Sequence, residues 1–218
     1  TTAAGGAIVL MYKWDAGAAL KLIEKYKVTG VSGVPVMSRE IINHPDFATT
    51  DTSSLTGLSG GGAQVPPDLV LKIDEAVKTA RPTTGYGMTE TCGIITSVSG
   101  DFFVAKPDSA GPWMPSFEVK VVDDDGRELP VGSVGELWVK GAPVIKGYIN
   151  RPDATEQTIT DGGWLHTGDV ARIDEDGFIF IVDRKKDLVI RGGENISCTE
   201  VEACVYRVPG VAECCVFG

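Results

Sequence analysis

The sequence predicts an α/β protein built from three textures in succession. Up to about residue 100, short β-branched runs alternate with amphipathic stretches of helical period, the pattern of an α/β unit. From about Asp101 to Val182, short alternating strands are separated by turn residues. From Asp183 onward the chain becomes charged and glycine-containing before a further helix start.

Each element has a local reason. Ala7 to Met11 reads as a strand, and Asp15 as the N-cap of a helix to about Tyr26 with Ala19, Leu22, Ile23 and Tyr26 on its apolar face. Val28 to Val34 reads as a buried strand, and Pro35 opens a helix to about Asn43. Leu55 to Ser59 leads into Gly60-Gly61-Gly62-Ala63. Pro67 and Asp68 then start a helix with Leu69, Ile73, Ala76, Val77 and Ala80 on its apolar side, and a short strand follows before Thr83. In the second texture, strands are expected at Phe117–Val122, Glu136–Lys140, Val170–Ile173 and Phe178–Val182. Asp123-Asp124-Asp125-Gly126 and Asp174-Glu175-Asp176-Gly177 are their turns, because Asp and Gly suit turn backbones and the ligand spacing of a calcium loop is absent. Near the end, Thr199 reads as the cap of a helix through Ala203, and Cys214-Cys215-Val216-Phe217 as a strand.

Composition narrows the function classes. The 218 residues are 43% hydrophobic, enough for a substantial core and two or more compact units. A net charge of −10 argues against a nucleic-acid surface, which needs clustered Lys and Arg. The five cysteines show no C-x-x-C spacing, so neither a disulfide framework nor a zinc site is indicated. Only His44 and His166 are present, and both read as ordinary hydrogen-bonding residues. No apolar run approaches the roughly 20 residues of a membrane span, and Thr1 to Gly6 lacks the charged start of a signal peptide. A cytoplasmic location with reduced thiols is expected, and the composition is compatible with a homo-oligomer.

The run Thr83-Thr84-Gly85-Tyr86-Gly87-Met88-Thr89-Glu90-Thr91 gathers the parts of a nucleotide site. Glycine permits close backbone approach. Tyr86 can stack on a base, Thr89 can donate to a phosphate oxygen, and Glu90 is a hard oxygen ligand suited to Mg²⁺. Further along come Gly163-Trp164-Leu165-His166-Thr167-Gly168-Asp169, then Asp183-Arg184-Lys185-Lys186-Asp187, then Arg191-Gly192-Gly193-Glu194-Asn195-Ile196.

In this order the blocks resemble the adenylate-forming superfamily, which includes acyl-CoA synthetases, aryl-CoA ligases, firefly-type luciferases and peptide-synthetase adenylation domains. Within it the wording is most similar to bacterial fatty-acid CoA ligases. The resemblance implies an incomplete adenylate-forming fold: a partial N-terminal α/β subdomain over 1–100, a small β-barrel over 101–182, and from 183 to 218 a hinge and the beginning of a mobile C-terminal domain. It implies an acid–thiol ligase that uses ATP, Mg²⁺ and coenzyme A to convert a small-molecule carboxylic acid, through an acyl-adenylate and AMP, into a thioester.

Roles carried by the resemblance fall on named positions. Gly61, Gly62 and Ala63 match the loop along the adenine and acyl pocket. Gly85, Tyr86 and Gly87 match the opposite wall of the adenine slot. Thr89 matches the α-phosphate contact, Glu90 the Mg²⁺ ligand, Asp169 the acceptor of the ribose hydroxyls, and Arg184 the cation on the ribose and phosphate side. Lys186 matches the hinge, and Gly192 and Gly193 the loop beside the pantetheine channel. The family's phosphate loop is not found between Thr1 and Thr83, and its C-terminal lysine would lie beyond Gly218. The chain is therefore expected to be an internal fragment, inactive alone. Alternatives are an aryl-acid or amino-acid adenylating enzyme, and a non-catalytic nucleotide-binding module.

Overall fold

Asp15 caps the first helix as its sequence requires: its Oδ1 accepts from Ala18 N–H at 2.7 Å, and α1 runs Ala16–Tyr26. The computed structural model describes residues 5–187, 189–191, 194–205, 208, 210–211 and 214–217. Two compact units form, one from residues up to Tyr86 with Ser97–Asp108, the other from Gly87–Thr96 with Ser109 onward.

In the first unit, β1 (Gly30–Gly33), β2 (Gly57–Gly60) and β3 (Arg81–Met88) pair in parallel, with Gly33 beside Gly60 and Gly60 beside Thr84. The four-stranded sheet has the order β1-β2-β3-β4, where β4 is Gly93–Ser99. Helices α2 (Pro35–Asn43) and α3 (Pro67–Ala76) each begin on a proline that needs no N–H partner in the first turn. Leu20, Ile23, Ile41, Leu55, Leu58, Leu69, Val70 and Phe103 form the buried core of this unit. Phe103 enters it from α4 (Asp101–Ala105), a short helix at the point where only strands were expected.

The second unit carries an antiparallel sheet of order β5-β9-β8-β7-β6, formed by β5 (Gly111–Pro112), β6 (Phe117–Val122), β7 (Gly135–Gly141), β8 (Leu165–Ile173) and β9 (Phe178–Arg184). Phe117, Val121, Leu137, Val139, Leu165, Ala171 and Ile179 are its buried face. Helix α5 (Pro152–Thr158) leads into β8. Beyond β9 lie the short antiparallel pair β10 (Val189–Arg191) and β11 (Glu194–Ile196), then α6 (Cys198–Val205).

Several expectations are corrected. Residues 7–11 form no strand, and Ile8 and Leu10 are exposed. β-branching supplies propensity, yet a strand also needs a neighbour for its N–H and C=O groups, and this run pairs with no strand among the described residues. β1 is shorter than 28–34 and half-exposed because it is the sheet edge. On α1, Leu20 replaces Leu22 and Tyr26 in the buried face, and Tyr26 is exposed. On α3, Val70 is buried whereas Ala76 is exposed. The helix stops there, and Val77 and Ala80 reach the core from the segment after it. The run from Thr83 to Met88 does not follow a strand; it is most of β3. α6 begins at Cys198, one residue before the expected cap Thr199, and Ser197 Oγ accepts from Glu200 N–H at 3.2 Å. Residues 214–217 are in no strand.

Candidate functional site

In an open parallel sheet, ligand-facing residues sit at the carboxyl ends of the strands. The first unit places Gly61, Gly62 and Ala63 directly after β2, with Gly61 N–H donating to the Gly33 carbonyl at 2.9 Å. Gly85 and Tyr86 follow Thr84, whose hydroxyl donates to the Gly60 carbonyl at 3.0 Å. The glycines of this loop have different reasons. A Cβ on Gly60 would meet Pro35 and Val65 at 3.1 Å, so Gly60 serves packing. Gly61 and Gly62 would meet nothing within 4 Å, and Gly62 has φ +75°.

In the second unit, Gly87 is required by the backbone beside it. An added Cβ would overlap the Gly93 carbonyl and approach Ile94 Cα to 2.7 Å. Gly87→Ala is therefore expected to destabilise the full-length protein by about 1–3 kcal/mol, read as a shift in the urea midpoint. An unchanged midpoint would show that the backbone yields there.

Thr89 and Glu90 lie on a 3₁₀ turn, Thr89–Thr91, immediately after β3. Buried Thr91 fixes this turn, its Oγ1 accepting from Met88 N–H at 3.2 Å and donating to the Gly93 carbonyl at 2.8 Å. Cys92 closes it in the left-handed region at φ +53°. The Glu90 carbonyl accepts from Ile145 N–H at 2.8 Å, and Glu90 Oε1 accepts from the Tyr148 hydroxyl at 2.8 Å. Burial and then the Glu90 carboxylate push the Tyr148 phenol up, so it stays a donor. Tyr148 was not legible as a site residue, because no spacing rule connects positions 58 residues apart.

Among the described residues, no three His, Cys, Asp or Glu side chains group into a metal cage. The Glu90 surroundings still fit Mg²⁺, which is commonly held by one or two carboxylates together with substrate phosphates. Tyr148 engages Oε1 and fixes the direction of the carboxylate that would hold the cation.

Asp169 is 3% exposed, and its Oδ1 pairs with Arg184 Nε at 2.8 Å. The sheet explains the pairing, since Asp169 on β8 stands opposite Arg184 on β9. A buried carboxylate is retained only when paired and hydrogen-bonded. Both strands are irregular here, with shifts between Glu136 and Trp138 and between Val170 and Ala171. Thr167 Oγ1 anchors the irregularity by donating to the Leu137 carbonyl at 2.7 Å and accepting from Asp169 N–H at 3.1 Å.

His166 departs from its expected hydrogen-bonding role. Its ring stacks on Trp138 at 4.0 Å, its Nε2 is buried without a partner among the described residues, and burial holds its pKa below the ordinary value. His44 does hydrogen-bond, accepting from Asp46 N–H at 3.1 Å. Lys186 is exposed in the turn after β9. Gly192 and Gly193 lie outside the described residues.

The AMP-binding enzyme family matches residues 1–149, which hold Thr89, Glu90 and strands β1 to β7. The chain belongs to the AMP-binding enzyme family. Curated relatives of this AMP-binding chain include a feruloyl-CoA synthase of Amycolatopsis, 42% identical over 98% of the chain and 43% of the relative. A medium/long-chain-fatty-acid–CoA ligase of Mycobacterium tuberculosis is 38% identical over 100% of the chain and 38% of the relative. The chain thus spans less than half the length of these relatives. Among solved structures, O-succinylbenzoate coenzyme A synthetase from Bacillus subtilis in complex with AMP superposes with a TM-score of 0.88. The two are 35% identical, and the match covers 99% of this chain and 43% of that one. The fold is accordingly a partial adenylate-forming α/β fold. No helix among the described residues is long and apolar enough to cross a membrane.

Proposed function

We propose that this AMP-binding chain is part of an ATP-dependent acyl-CoA ligase acting on a fatty acid. The observation that carries the reading is the buried Asp169 on an irregular strand, paired at 2.8 Å with Arg184. A carboxylate buried beside a half-exposed guanidinium adds little to stability by itself, which favours a role in binding a polar ligand. In this reading Asp169 accepts from the ribose hydroxyls, with Arg184 on the phosphate side. Tyr86 stacks on adenine between Gly61-Gly62-Ala63 and Gly85-Gly87, an interaction worth about 1–3 kcal/mol. Thr89 donates to the α-phosphate and Glu90 holds Mg²⁺, which when bound neutralises phosphate charge.

A substrate carboxylate oxygen attacks the α-phosphorus and pyrophosphate leaves. The CoA sulfur then attacks the acyl carbon and AMP leaves. The chain's contribution is positioning and charge stabilisation, with no covalent bond to the protein. Lys186 is the pivot between the two reactions, with residues 183–218 opening the mobile domain.

The fatty-acid assignment draws on the open space at Gly61 and Gly62. A second reading, a hydroxycinnamate such as ferulate, is favoured by the 42% identity to feruloyl-CoA synthase. Incubating the full-length protein with ATP, CoA and a panel of acids, with thioesters read by mass spectrometry, separates the two. Thioesters of long alkyl acids support the first reading, and turnover of ferulate alone supports the second.

Gly61→Leu refines the test, because Gly61 has no close neighbour to clash with. Each buried methylene is worth about 0.8 kcal/mol, so blocking several should lower kcat/KM for long acids by orders of magnitude while sparing propionate. Equal loss at all chain lengths would assign the loop to adenine alone.

A further inference from the structure

Between the paired positions Glu136–Val170 and Trp138–His166, β7 supplies one residue, Leu137, where β8 supplies three, Thr167, Gly168 and Asp169. Such a bulge leaves ladder hydrogen bonds unmade and turns a side chain out of the regular pleat. Gly168 sits in it at φ +70°. Both sides of its peptide environment are nonetheless held. Gly168 N–H donates to Glu136 Oε1 at 3.2 Å, and the Gly168 carbonyl accepts from Lys185 N–H at 2.8 Å. Glu136 Oε2 in turn accepts from Lys185 Nζ at 3.2 Å, and the same ammonium pairs with Asp124 Oδ1 at 3.0 Å. Glu136 is 11% exposed and Asp124 94%, so the inner half of this bridge is the protected one.

We infer that Glu136 is a positioning residue for ribose recognition: with Lys185 it clamps the Thr167–Asp169 bulge and so fixes the direction of the Asp169 carboxylate. The inference rests on the reading that Asp169 accepts from the ribose. Glu136 touches neither nucleotide nor acid; it acts through the Gly168 peptide. Its carboxylate does two things that no smaller or apolar side chain at that position can do together, accepting from a bulge N–H that the ladder leaves over and holding the ammonium of the residue bonded to the other side of Gly168. A misplacement of about 1 Å at such a contact can cost on the order of a hundredfold.

The test is the preference for ATP over 2′-deoxy-ATP, as the ratio of kcat/KM in pyrophosphate exchange by the full-length protein. The ratio is internal to each variant, so loss of folded enzyme cancels. Asp169→Asn is expected to abolish the preference, and Glu136→Ala to reduce it about tenfold, the size of one hydrogen bond to a charged group. Glu136→Gln keeps an acceptor for Gly168 N–H and is expected to retain most of it. Should Glu136→Ala prove insoluble, Lys185→Met, at a half-exposed position, is expected to lower the ratio about threefold by releasing one end of the clamp. A wild-type ratio in Glu136→Ala or Lys185→Met, with Asp169→Asn impaired, would overturn the inference and leave Glu136 a structural residue. A wild-type ratio in Asp169→Asn would overturn the ribose reading itself, and the inference with it.

Discussion

Asp169→Ala in the full-length protein is expected to raise the KM for ATP about 10- to 100-fold and to weaken both half-reactions alike. Hydrogen bonds to a charged acceptor contribute about 1.5–3 kcal/mol each, and about 1.4 kcal/mol is a factor of ten. The substitution also strips Arg184 of the partner that holds its Nε at 2.8 Å, so the guanidinium loses its fixed direction. Because the same nucleotide site serves adenylation and AMP release, pyrophosphate exchange and thioester formation should fall in parallel. A loss confined to thioester formation would remove Asp169 from the nucleotide site.

Lys186→Pro should behave in the opposite way. Lys186 is exposed, and the hydrogen bonds of its turn involve the neighbours, Lys185 N–H to Gly168 and Asp187 N–H to the Arg184 carbonyl at 3.0 Å. Proline removes neither of those donors, while locking φ at 186 and restricting Lys185 before it. A pivot that must adopt two backbone states would be held in one. A bias of about 3 kcal/mol against the second pose lowers its population on the order of a hundredfold. Pyrophosphate exchange is then expected within a few-fold of wild type while CoA transfer collapses. Equal loss of both activities would make Lys186 a structural or nucleotide-site residue.

Local chemistry made much of this architecture legible. The Asp15 cap, the prolines opening α2 and α3, and the Asp-Gly turns each dictate a nearby backbone, and all form where the sequence places them. Readings failed where the outcome depended on a distant partner. Among the described residues the β-branched run at 7–11 has no neighbouring strand, and β1 is half-exposed because it is the edge of its sheet. The run from Thr83 was placed after a strand, yet Thr83 and Thr84 hydrogen-bond to Val98 and Gly60 on the strands either side and belong to the strand themselves. The site divides likewise. Asp169 and Arg184 stood out as charged residues in distinctive blocks, whereas Tyr148, Thr91 and Glu136 show their roles only through contacts that no local pattern encodes.

The central claim, acid activation at the α-phosphate of ATP, is tested most directly by the exchange of labelled pyrophosphate into ATP by the full-length protein with Mg²⁺, with and without a carboxylic acid. The account predicts exchange that requires the acid and needs no CoA, with AMP and a thioester accumulating once CoA is added. Release of ADP and phosphate, or exchange indifferent to the acid, would contradict it.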